Sequence, residues 1–99
     1  TVLFAVLQAM AQAGDEVLAG DPMYATYEGV IRATGASVVP VPLRPEAGFR
    51  MQAADVAARI TPRSRVLLLN SPHNPTGAVL SAGELAALGE VAVRHDLWI

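Results

Sequence analysis

Arg65-Val66-Leu67-Leu68-Leu69-Asn70, followed at once by Ser71-Pro72-His73-Asn74-Pro75-Thr76-Gly77, is the stretch whose reading settles the fold class. Its first part is apolar without alternation, the pattern of a parallel strand covered on both faces. Its second part is rich in proline, glycine and asparagine. Proline fixes its own φ and restricts the residue before it, whereas glycine permits positive φ, so this backbone is stiff. Ligands of open α/β sheets bind beyond the carboxyl ends of the strands. A stiff turn in that place can hold one side chain at a fixed angle. The same residues also describe a plain strand-to-helix connection, and residue content alone leaves both readings open.

Downstream, Ser81 and Glu84 have the spacing of a capping box, and Leu85, Leu88 and Val91 continue along a helix toward Arg94 and His95. Upstream, Gln52 to Ile60 reads as a short helix, with Val56 and Ile60 four apart and Thr61-Pro62 ending it. Ser37 to Leu43 is extended. Pro40 and Pro42 cannot donate to a ladder, so their amide side is expected to face away from a paired neighbour. From Tyr24 a helical stripe carries Tyr27, Val30, Ile31 and Thr34 and stops at Gly35. Glu16 to Ala19 is a short strand closed by Gly20-Asp21-Pro22, and Leu3, Leu7, Met10 and Ala11 mark a helix from Thr1 to Ala13 that ends at Gly14. Strands separated by helices in this rhythm predict an α/β fold with a mostly parallel sheet.

The composition is 53% hydrophobic and 16% charged over 99 residues, which is apolar for a free-standing domain of this size. Thr1 to Met10 enters in mid-helix without a cap, and Leu97-Trp98-Ile99 reads as a strand just beginning. Both ends therefore look cut, and residues 1–99 are expected to be an incomplete piece of a larger domain with no internal boundary. Taken alone, such a piece is expected to aggregate through its exposed core faces and strand edges.

All seven basic residues are arginines, at positions 32, 44, 50, 59, 63, 65 and 94, and they are interspersed with nine acids for a formal charge of -2. No basic stripe exists to follow a nucleic acid. No apolar run has the length of a membrane span, and no secretory signal pattern is visible, so a cytoplasmic location is expected. With zero cysteines and two separated histidines, His73 and His95, neither disulfides nor a metal site is expected. His95 reads as a favourable charge at a helix C-terminus, and His73 as a loop residue without an acid/base role.

Asn74-Pro75-Thr76-Gly77 preceded by Ser71-Pro72-His73 resembles the signature loop of the class I and II aminotransferases, the fold-type I enzymes that use pyridoxal 5'-phosphate. The likeness continues through Gly14-Asp15-Glu16-Val17, Asp21-Pro22-Met23-Tyr24 with Tyr27, Gly35-Ala36, Pro42, Gly48-Phe49, Ile60-Thr61-Pro62-Arg63 and His95-Asp96, in order and spacing. It implies the large, cofactor-binding domain of such an enzyme, a three-layer αβα arrangement, in a protein that is a homodimer. It also implies roles for two residues. Asn74 corresponds to the asparagine that donates its amide to the phenolic oxygen of the cofactor and helps position the substrate carboxylate. Tyr24 corresponds to the aromatic residue that stacks on the pyridine ring; the plain alternative is a half-buried tyrosine starting a helix, and Tyr27 reads as packing. The resemblance further implies a cis bond at Asn74-Pro75, with Asp21-Pro22 a second candidate, and puts Thr1 at or just beyond a phosphate-binding loop.

The family's reaction needs a lysine that forms a Schiff base with the cofactor and then moves a proton. This sequence has no lysine, so no catalytic residue is assigned and the 99 residues by themselves are expected to be inactive. The implied activity is exchange of an amino group between an amino acid and a 2-oxo acid, and Asp21 to Thr76 is most similar to arginine:pyruvate and related broad aminotransferases. A carbon-sulfur lyase of the same fold, an aminotransferase-like domain of a transcriptional regulator and a cofactor-free α/β domain are the alternatives.

Overall fold

A computed structural model of the chain describes residues 2–99. The elements run α1 (Val2–Met10), β1 (Glu16–Asp21), α2 (Ala25–Ala33), β2 (Ser37–Pro42), a short 3-10 turn (Pro45–Ala47), α3 (Ala53–Ala57), β3 (Ser64–Leu68) and α4 (Ala82–Arg94). The three strands form one parallel sheet in the order β2-β1-β3. This is the α/β arrangement expected from the sequence.

Side-chain alternation along the strands sorts the core into two layers. Val17 and Ala19 of β1 and Val66 of β3 point to one face and pack with Leu7 and Ala11 from the α1 side and Ile31 of α2. Leu18, Leu67 and Val41 point to the other, where Val56 of α3 and Leu88 and Val91 of α4 cover them. Helices on both faces of a parallel sheet make the three-layer αβα sandwich.

The most protected strand is β1, whose residues Val17 to Gly20 are all buried. It occupies the middle of the three-stranded sheet. β3 is nonetheless engaged on both sides. Leu67 N–H donates to Trp98 O at 2.8 Å and Trp98 N–H to Arg65 O at 3.0 Å, so the expected strand start at Leu97-Trp98-Ile99 takes the form of a parallel bridge.

On β2 it is the odd-numbered amides that reach β1. Ser37 N–H donates to Asp15 O and Leu43 N–H to Asp21 O, each at 2.9 Å. Pro40 and Pro42, each one residue out of phase with those donors, turn their nitrogens to the open side, as their chemistry requires.

Several boundaries differ from expectation. α1 ends at Met10, three residues before Ala13, because the Asp15 carboxylate captures Gln12 N–H at 3.0 Å while Asp15 N–H bonds Gln12 O at 3.0 Å. A side chain that binds nearby backbone competes with the helix in this way. α3 is only Ala53–Ala57, since the chain tightens to Arg59 N–H→Val56 O at 2.9 Å and then turns, with Thr61 N–H held by Ser64 Oγ at 2.9 Å. β1 extends through Asp21, two residues beyond Ala19.

Helix α2 does stop where expected. Gly35 takes φ +89, and a Cβ there would lie 3.3 Å from the Ala13 Cα, so both conformation and space call for glycine. α4 carries the expected capping box: Glu84 N–H donates to Ser81 Oγ at 3.1 Å and Ser81 N–H to Glu84 Oε1 at 2.9 Å. Its buried face is Leu88, Val91 and Ala92, whereas Leu85, expected on that face, is 45% exposed. Among the described residues no helix is long and apolar enough to cross a membrane.

Candidate functional site

The site is built on the carboxyl ends of β1 and β3. These strands are parallel neighbours, with Ala19 opposite Leu68, so the segments that follow them leave from the same edge of the sheet. One leads to Tyr24, the other to the Ser71 to Leu80 loop.

After β1 the chain turns through a cis Asp21-Pro22 bond, and Tyr24 takes the N-cap position of α2 with φ -63 and ψ 127. No side chain caps the helix there. The Tyr24 ring is 44% exposed and meets Tyr27, one helical turn on, edge to face at 5.4 Å between centroids and 67° between planes. That contact braces one side of the Tyr24 ring and leaves another open. Tyr27 is half-buried and packs, as expected.

After β3 the loop is closed on itself. His73 N–H donates to Ala78 O at 2.7 Å and Gly77 N–H to His73 O at 2.6 Å, with Gly77 at φ +75, a conformation suited to glycine. Ser71 Oγ accepts from Leu80 N–H at 3.0 Å. The Asn74-Pro75 bond is cis as the resemblance implied, and so is Ser71-Pro72, which the sequence reading did not single out. Asn74 stands on this frame, exposed, and among the described residues no hydrogen bond engages its carboxamide.

Sequence reasoning gave His73 no partner, yet its Nδ1 lies 2.8 Å from Thr76 Oγ1. Burial holds the His73 imidazole below the usual histidine range, which favours the neutral ring. The available signal was a histidine and a hydroxyl residue flanking Asn-Pro. Behind the loop, Gly20, Leu43, Phe49, Leu69, Asn70 and His73 help line a void of about 20 Å³, room for a water.

Thr1 lies outside the described residues. His95 is the C-cap residue of α4, as expected. Among the described residues no group of three or more His, Asp or Glu side chains is placed to hold a metal ion.

The whole sequence, residues 1–99, matches the family model for aminotransferase class I and II. The chain belongs to this family. It is 57% identical over 97 residues to the arginine–pyruvate transaminase of Pseudomonas aeruginosa, a match covering 98% of this chain and 25% of that protein. It is 48% identical over 94 residues to a probable N-succinyldiaminopimelate aminotransferase of Mycobacterium tuberculosis, covering 94% of this chain and 24% of that one. Among solved structures, Thermus thermophilus aspartate aminotransferase with maleate superposes with a TM-score of 0.93 at 43% identity over 97% of this chain and 25% of that one. The chain thus spans about a quarter of the length of these aminotransferases, and its sheet is part of the α/β large domain of fold-type I.

Proposed function

We propose that these residues are one uninterrupted part of the cofactor-binding domain of a pyridoxal 5'-phosphate-dependent aminotransferase, which moves an amino group between an amino acid and a 2-oxo acid. The observation that carries this reading is that an exposed, unengaged carboxamide, Asn74, and an exposed aromatic ring, Tyr24, follow neighbouring parallel strands off the same edge of the sheet.

These two groups fit different parts of a flat anionic heteroaromatic ring. A carboxamide NH2 donates to a phenolate oxygen without competing for a proton, because an amide is not a base near neutral pH. The Tyr24 ring offers a π-face, and its own plane is fixed by Tyr27. When bound, pyridoxal 5'-phosphate supplies an electron sink for the negative charge that develops at the substrate α-carbon. Asn74 orients the ring edge and, from the same position, gives a donor to a substrate carboxylate. No residue here can anchor the cofactor covalently, since lysine is absent. The covalent anchor and proton carrier belong to the rest of the enzyme, which we take to be a cytoplasmic homodimer. The likeness to the arginine–pyruvate enzyme makes arginine with pyruvate the first substrate pair to assay.

Asn74→Ala in the full-length protein tests this. Losing a hydrogen bond to a charged oxygen is expected to weaken cofactor retention about tenfold or more and to shift the visible absorption band of the bound cofactor. Wild-type retention together with a wild-type band would remove Asn74 from the site.

A further inference from the structure

The carboxamide of Asn74 has no hydrogen bond of its own among the described residues, so where it leaves the loop depends on the backbone beneath it. That backbone is tied at both ends of the Asn74-Pro75 step. His73 O accepts from Gly77 N–H at 2.6 Å and His73 N–H donates to Ala78 O at 2.7 Å. A third tie is between side chains, His73 Nδ1 to Thr76 Oγ1 at 2.8 Å, spanning Asn74 and Pro75.

The Thr76 hydroxyl joins two parts of the loop. Thr76 Oγ1 also accepts from Ala78 N–H at 3.3 Å. A hydroxyl has one proton to give, and a neutral imidazole has one bare nitrogen to receive it. With two lone pairs the hydroxyl can keep the Ala78 contact and either donate to a bare Nδ1 or accept from Nδ1–H, so the tie forms in both neutral tautomers. Desolvation of the half-buried ring favours the neutral form. Both partners are half-buried, so water competes weakly for the bond.

We propose that the His73–Thr76 pair is a positioning clasp that fixes the direction of the Asn74 carboxamide toward the cofactor's anionic oxygen. His73 and Thr76 do not touch the cofactor themselves; they act through Asn74. The clasp rests on the reading of Asn74 as a cofactor-binding residue given above.

The test uses the full-length enzyme loaded with pyridoxal 5'-phosphate and compares Thr76→Val, Thr76→Ser, Asn74→Ala and the Asn74→Ala/Thr76→Val double variant. Two readouts are taken, the rate of cofactor loss on dilution and the position of the visible absorption band. Thr76→Val keeps the shape and removes the hydroxyl. It is expected to speed cofactor loss about fivefold, the scale of one neutral hydrogen bond, and to move the band in the direction that Asn74→Ala moves it. Thr76→Ser restores the hydroxyl and is expected to return both readouts to wild type. The double variant should lose cofactor no faster than Asn74→Ala alone, because the clasp has no target once the amide is gone.

A Thr76→Val enzyme with wild-type retention and band, whatever its melting temperature, overturns the clasp, as does a double variant whose effects multiply. If Asn74→Ala itself changes neither readout, the reading of Asn74 fails and the clasp with it; an altered Asn74→Ala beside an unaltered Thr76→Val sinks the clasp alone. Should Thr76→Val not fold, His73→Gln breaks the same pair from the other side and is judged by the same two readouts.

Discussion

Arg50 Nε donates to Glu84 Oε2 at 2.9 Å, joining the loop that leads into α3 to the first turn of α4 across 34 positions of sequence. Glu84 thereby divides its carboxylate. Oε1 receives Ser81 N–H in the capping box and Oε2 receives Arg50.

These bonds favour the ionised carboxylate. The Ser81 amide, with Arg50 next in weight, holds Glu84 down at about 2 from an ordinary 4.5. A pKa depressed by folding contributes stability above the unfolded value, and that contribution disappears as pH falls from about 4.5 toward about 2. Glu84→Gln keeps a side chain able to complete the capping box but does not titrate. The gap in urea midpoint between wild type and Glu84→Gln in the full-length protein is therefore expected to be constant above pH 5 and to narrow toward pH 2. A gap independent of pH would show that the ionised form of Glu84 is not what α4 relies on.

Leu88 and Leu85 should respond oppositely to truncation, although the sequence puts them on one stripe. Leu88 is 0% exposed and Leu85 45%. Leu88→Ala is expected to cost about 2–5 kcal/mol through lost burial and a residual cavity. Leu85→Ala should change stability by about 0.5 kcal/mol or less. Chemical denaturation of the two variants decides; equal losses would contradict the packing of α4 described above.

For Tyr24 the ring matters and the hydroxyl does not, if stacking is its task. Tyr24→Phe should retain cofactor within about twofold of wild type, and Tyr24→Leu should lose it about threefold to tenfold faster, the scale of an aromatic face contact. Tyr27→Leu removes the brace seen at 5.4 Å and should fall between the two. Dilution kinetics read all three, and a Tyr24→Phe enzyme as impaired as Tyr24→Leu would point to the phenol instead.

The sheet was legible because its strands are written as short apolar runs between turn formers. Element ends were less legible where a side chain intervenes. Asp15 takes the Gln12 amide and shortens α1, an interaction that hydrophobic periodicity does not register. Leu85 was misplaced for a geometric reason. Steps of three residues drift by about 60° each around an α-helix, so Leu85 and Val91 lie about 120° apart and cannot both face the sheet. The helix centres on Leu88 and keeps Val91 and Ala92. Asn74 and Tyr24 were singled out as candidates through family likeness, whereas the His73–Thr76 bond depends on a closed loop whose shape no residue count encodes.

The orientation of Pro40 and Pro42 makes the outer rim of β2 poor in donors. Along that rim the outward positions are Val38, Pro40 and Pro42, and only the first carries an N–H. A foreign strand arriving there would find carbonyl oxygens and almost nothing to bond its own carbonyls. Trp98, by contrast, already both gives and receives beside β3. Recruitment of further strands is thus one-directional, since the proline-bearing flank has so few donors to offer.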